Sequence, residues 1–149
     1  ENPANVLLTV LYKGNEALIP LNDNTFKSIK FWGRIESDVD KFFYASDFFI
    51  LPGVGGLALN QSMLWGTPCI VSEADGTEDD LVYDGITGFR FVKNNLDSLI
   101  FKLSEAYNLP PKIYDNMSFK GQKLILQRSN TEEMVKEFSK VLSMETIFY

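Results

Sequence analysis

The residues best suited to chemistry form one short run, Pro52-Gly53-Val54-Gly55-Gly56-Leu57-Ala58. Three glycines, Gly53, Gly55 and Gly56, let the backbone come close to a ligand. A helix-compatible stretch, Ala58–Trp65, follows at once. The start of a helix offers unpaired N–H groups and the positive end of its dipole, and both favour an anion, most often phosphate. A plainer reading stands beside this one: the glycines serve a tight turn that needs positive φ and hold no ligand. The run is not a Walker A motif, because no Gly-Lys-Ser/Thr follows. It is also not a Gly-x-Gly-x-x-Gly fingerprint on the first strand.

Other residues have chemistry to offer, each with a structural alternative. Arg34 follows Gly33 at a predicted strand end, so it could meet a base or phosphate, or be a solvated surface residue. Lys13 precedes Gly14 after the first strand, where a plain turn competes with a phosphate contact. Glu73, Asp75, Glu78, Asp79 and Asp80 follow the fourth strand. We read them as an acidic, solvated loop rather than a metal site, with Asp80 as a cap or structural contact. Cys69 lies inside an apolar strand and reads as a buried, inert thiol.

Composition narrows the chemistry further. The chain has 149 residues, no histidine and one cysteine. That excludes imidazole-based catalysis within these residues, zinc sites that need His, and an internal disulfide. Lys and Arg total 14 against 20 Asp and Glu, a net charge of −6, which argues against nucleic acid as a partner. No signal peptide and no membrane-length apolar run is visible, so the expected setting is cytoplasmic. The chain opens Glu1-Asn2-Pro3-Ala4 without Met and runs at once into strand-like sequence, as a piece of a longer protein would.

The elements that must position these residues alternate. Strands are expected at Val6–Leu11, Ile29–Trp32, Phe48–Leu51, Cys69–Val71 and Gly88–Val92. Helices are expected over 38–45, from Ala58 to Trp65, and as one turn from Asp79 to Tyr83. A longer helix has Leu96, Leu99, Ile100, Leu103 and Tyr107 as its apolar face. Further helices are expected over 112–127, where Gly121 is unfavourable, and after Asn130, which with Glu133 forms a capping box. The twelve Phe residues read mostly as packing. This order predicts an α/β fold, a doubly wound parallel sheet with a helical C-terminal segment. Ligands in such sheets bind beyond the carboxyl ends of the strands, which puts Leu11, Trp32, Leu51 and Val71 next to the site.

Several motifs in order sharpen the picture. They are Phe31-Trp32-Gly33, then Ala45-Ser46-Asp47 running to Pro52, then Gly66-Thr67-Pro68-Cys69-Ile70, then Asp84-Gly85-Ile86-Thr87-Gly88-Phe89. Over about residues 6–106 the chain resembles the donor-binding, C-terminal domain of GT-B fold glycosyltransferases of the retaining type. The resemblance implies a donor that is a nucleotide-diphosphate sugar and an acceptor that is a glycan or lipid. It implies base or phosphate contacts from Gly33, Arg34 and Lys13, and phosphate contacts from Gly53, Gly55, Gly56, Leu57 and Ala58. No metal and no cofactor beyond the donor itself is implied. The family usually carries two glutamates across this loop and helix. Their places here are Gly53 and Gln61, which marks a divergent branch. Gln61 retains an amide for the ribose hydroxyls, while Gly53 has no side chain to face the sugar.

On this reading residues 1–149 are a single nucleotide-sugar-binding domain that lacks its own first strand–helix unit and the N-terminal acceptor domain. That missing domain is the expected partner, and any peripheral membrane contact would run through it. Two alternatives stay open. One is a non-catalytic doubly wound binding module, such as a phosphate receiver, although Tyr12-Lys13-Gly14 after the first strand lacks the paired acids a receiver needs. The other is half of a nucleotide-sugar epimerase, against which the missing histidine weighs.

Overall fold

The computed structural model describes residues 8–11, 29–33, 35, 37–128, 135–136 and 139–140. The chain divides into two compact units, Glu1–Val39 and Asp40–Tyr149.

In the first unit, β1 (Leu8–Leu11) and β2 (Ile29–Gly33) pair in parallel. The register runs Leu8 to Ile29 through Val10 to Phe31, then slips so that Leu11 faces Gly33. Gly33 therefore ends β2 at an irregularity.

The second unit holds a parallel sheet in the order β3-β4-β5. β3 is Phe49–Leu51, β4 is Cys69–Ser72 and β5 is Gly88–Phe91. β4 lies in the middle and is buried throughout, as its apolar run demands. Around the sheet lie α1 (Asp40–Tyr44), α2 (Gly56–Leu64), α3 (Thr77–Leu81), α4 (Leu96–Tyr107) and α5 (Pro111–Arg128). This is the expected α/β, Rossmann-like architecture.

Two apolar clusters sandwich the sheet. Cys69 and Val71 of β4 pack with Leu59 and Met63 of α2, Leu81 of α3 and Ile125 of α5. Ile70 faces the other way, with Phe89, Phe91, Ala106 of α4 and Met117 of α5. Alternate residues of one strand thus feed opposite faces, as a two-residue period requires. Met63 is 1% exposed and Leu59 2%. Burying side chains of this kind contributes about 1.5–3 kcal/mol each.

Helix ends follow local chemistry. The Asn95 side chain accepts the Ser98 N–H at 2.9 Å and caps α4, and Pro111 opens α5, where its missing N–H costs nothing. Gly66, at φ 77°, closes α2 in the left-handed conformation that only glycine adopts freely. Its N–H donates to the Met63 carbonyl at 3.0 Å. Gly121, unfavourable by propensity, is buried in α5 because a Cβ there would crowd Met63 Cε at 3.3 Å. Close helix packing overrides propensity at this point.

Several expectations need correction. The α4 face that packs on the sheet is Leu99, Leu103 and Ala106, whereas Leu96, Ile100 and Tyr107 are exposed. Phe101 and Phe119 are also exposed rather than packed. α2 starts at Gly56, two residues earlier than expected, and α3 spans Thr77–Leu81 rather than Asp79–Tyr83. The helix expected after Asn130 lies largely outside the described residues. Among the described residues, no helix is long and apolar enough to cross a membrane.

Candidate functional site

The site begins where β3 ends. Its last residue, Leu51, pairs with Val71 of β4, so the loop 52–55 leaves from the carboxyl edge of the sheet. α2 begins directly after it, with Gly55 as its N-cap residue. No side chain caps this helix. Leu59 N–H donates to the Gly55 carbonyl at 3.3 Å, the first bond of the helical ladder. The N–H groups of Gly56, Leu57 and Ala58 therefore have no acceptor within the helix. No acidic residue occupies the first turn. An uncapped start with three free donors and no carboxylate of its own is an anion-attracting arrangement. Around it, Val54 and Leu57 are exposed, at 72% and 74%.

The turn reading of the glycines does not hold. Among the described residues the positive-φ glycines are Gly66, Gly76 and Gly85, not those of the loop. Gly55 sits at φ 167°, extended backbone that any residue adopts. At two of the three glycines an added Cβ would instead be crowded by a neighbouring side chain. A Cβ on Gly55 would lie 2.9 Å from Leu51 Cδ2. A Cβ on Gly56 would lie 2.6 Å from Thr77 Cγ2 and 3.2 Å from Thr77 Oγ1. A Cβ on Gly53 would meet nothing within 4 Å among the described residues.

Gln61 lies one turn beyond Leu57 on the same side of α2, as four-residue spacing dictates. It is half-buried, and its side-chain amide has no hydrogen-bond partner among the described residues. Its neighbour Asn60 turns back instead, donating from Nδ2 to the Gly56 carbonyl at 3.0 Å. Gly33 closes β2 in the first unit. Arg34 and Lys13 lie outside the described residues.

The acidic loop after β4 is more structural than expected. Glu78 is buried, at 4% exposed, and its Oε1 accepts the Ala74 N–H at 2.5 Å. Asp79 pairs with Arg90, while Asp80 accepts from Arg128 Nη1 through its carbonyl at 2.9 Å. Asp75 is solvent-facing and accepts the Thr77 N–H at 3.2 Å. That bond holds the Asp75 carboxyl below its ordinary value. Among the described residues, no group of His, Cys, Asp or Glu is placed to hold a metal ion. Cys69 is fully buried in β4, and desolvation pushes its thiol up to about 12. It is inert, as its apolar strand implied.

Sequence reasoning missed Thr77. Asp75-Gly76-Thr77 has the pattern of a turn in which Asp accepts from the residue two positions on. Nothing in the sequence shows that this turn abuts Gly56.

Comparison with known proteins now bears on the geometry. A family model, Glycosyl transferases group 1, matches residues 5–108. The chain belongs to this family. Among curated proteins none matches it in sequence. Solved structures share its fold. Sucrose-phosphate synthase from Thermosynechococcus elongatus aligns with a TM-score of 0.66 at 17% identity, over 82% of this chain and 31% of that one. A glycosyltransferase from Rickettsia africae gives 0.67 at 16%, over 77% of this chain and 31% of that one. Anabaena HepE, solved in complex with UDP, gives 0.66 at 20%, over 78% of this chain and 32% of that one. The chain thus spans about a third of the length of these structures. The fold is that of a GT-B glycosyltransferase C-terminal domain, as the motif resemblance implied.

Proposed function

We propose that this glycosyl transferase domain binds the nucleoside diphosphate portion of a sugar-nucleotide donor at the start of α2. Phosphate oxygens would accept from the N–H groups of Gly55, Gly56, Leu57 and Ala58, with Gly53 leaving room for the ligand. Gln61 would hold the ribose hydroxyls through its amide. Gly33, Arg34 and Lys13 would serve the base or a phosphate. In transfer, charge develops on the departing nucleoside diphosphate, and preset backbone dipoles stabilise such charge without reorganising. The donor is substrate rather than cofactor, and no metal is assigned. The acceptor, a glycan or lipid, would be presented by a second domain, with any peripheral membrane contact made there. On this reading the chain alone binds donor and does not turn over.

The observation that carries the proposal is the uncapped start of α2, with three free N–H groups and no first-turn carboxylate, in a chain of this family. The UDP bound to HepE is consistent with a nucleotide ligand. Titrating the chain with UDP and with GDP, followed by calorimetry and by amide shifts, tests it. Shifts concentrated in residues 53–61 are expected. Silence at millimolar nucleotide would overturn the proposal.

A further inference from the structure

We infer that Thr77 is a positioning residue: its side chain is a wedge that fixes the first turn of α2 and so aims the Gly56–Ala58 N–H groups. The inference rests on the donor-binding reading for its functional meaning.

The far end of α2 is well tied down. Gln122 Nε2 donates to the Leu64 carbonyl at 2.8 Å, and Ser118 Oγ donates to that of Gly66. The near end has no side-chain cap, and its outward residues, Val54 and Leu57, are exposed. On its Gly56 side this turn abuts Thr77. Its Cγ2, Oγ1 and Cβ all lie within 3.3 Å of where a Gly56 Cβ would be. A β-branched side chain is stiff about χ1, so rotation brings one branch in as another leaves. Thr77 is itself held at its backbone, since Asp75 Oδ1 accepts its N–H at 3.2 Å. Glu78 Oε1, holding the Ala74 N–H, closes the same turn from the other side. A binding group is aimed well only when the residue behind it is held. Here the hold runs from Asp75 and Glu78 through Thr77 to Gly56.

The test is a cycle of variants on the full chain, read by UDP and GDP affinity and by exchange of the Leu59 amide. Gly56→Ala forces the turn away from Thr77. Thr77→Ala removes both branches and lets the turn relax. Each should weaken nucleotide binding by about tenfold, the loss expected when a charge-assisted hydrogen bond is misaligned. Each should also speed exchange at Leu59, whose N–H makes the first helical bond. The double variant, with the Thr77 methyl and hydroxyl lost and one methyl gained at Gly56, should recover both readouts to within about twofold of the parent. Thr77→Val keeps the branched shape and should behave like the parent. A general loss of stability would not be cured by adding a second substitution, and thermal melting of each variant records it.

Additive losses in the double variant, or parent-like binding and exchange in Thr77→Ala, would overturn the inference. A parent chain that binds neither nucleotide would overturn the donor-binding reading instead. The wedge would then stand or fall on Leu59 exchange across the same four variants.

Discussion

Gly88→Ala is the substitution for which the structure gives the clearest expected cost. Gly88 opens β5 and lies opposite Cys69 of β4. An added Cβ would fall on the Cys69 carbonyl oxygen and 2.9 Å from Val82 Cγ1. The carbonyl cannot step aside, because β4 is the central strand, with Phe49 paired to the same Cys69 from the other side. Overpacking of a core typically costs about 1–3 kcal/mol, and a backbone neighbour that cannot yield belongs at about the upper figure. With a urea dependence of about 2 kcal/mol per molar, the midpoint should fall by about 1.5 M. Gly85→Ala is the control. It sits at φ 71° with nothing within 4 Å of its Cβ, so only backbone strain of about 1–2 kcal/mol applies. Urea unfolding followed by circular dichroism should rank Gly88→Ala as the more damaging. A fall of less than about 0.3 M for Gly88→Ala would mean that β4 and β5 are not held in this register.

Four further outcomes are expected. Asp75 should titrate below 3.8 by carboxyl NMR, because Thr77 donates to its ionised form, and its share of stability is present at neutral pH and lost as pH falls through that midpoint. Cys69, pushed from 9.0 to about 12, favours the folded thiol, so its contribution holds below pH 9 and is lost as pH rises toward 12; thiol reagents should label it only on unfolding. Gln61→Ala should weaken UDP by about fivefold, one net hydrogen bond, while leaving inorganic pyrophosphate binding unchanged in calorimetry. Gly53→Ala should leave the melting temperature unchanged, since its Cβ meets nothing within 4 Å, in contrast to Gly56→Ala.

Much of the scaffold was legible because its strands are short, apolar on both faces and bounded by turn residues. Phe49–Leu51, Cys69–Ser72 and Gly88–Phe91 fall where the apolar runs lie. α4 was legible in extent but not in orientation. It carries two apolar rows, Leu96-Ile100-Tyr107 and Leu99-Ala106, which share Leu103 as a neighbour, and periodicity alone does not choose between them. The sheet takes the row containing Ala106, whose small side chain is 7% exposed and admits a close approach. The start of α2 was hidden for a different reason. Gly55 and Gly56 are poor helix formers, so propensity places the helix at Ala58. In the structure they form the first turn, beside Leu51 and Thr77.

That displacement changes what the glycine run means. Had the glycines been needed for positive φ, the loop would be a turn and nothing more. Positive φ occurs elsewhere, at Gly66, Gly76 and Gly85. A Cβ at Gly55 or Gly56 would meet the side chains of Leu51 or Thr77, and on the inference above Thr77 holds the N–H groups of the α2 start in one place. Gly53 is small with no such neighbour among the described residues, which leaves the loop open ahead of those donors. A fixed row of donors behind an unfilled space is what an anionic ligand needs: the rigid part supplies direction, and the vacant part supplies access. The three glycines therefore do two different jobs, and the distinction appears only when each is asked what its missing Cβ would have touched.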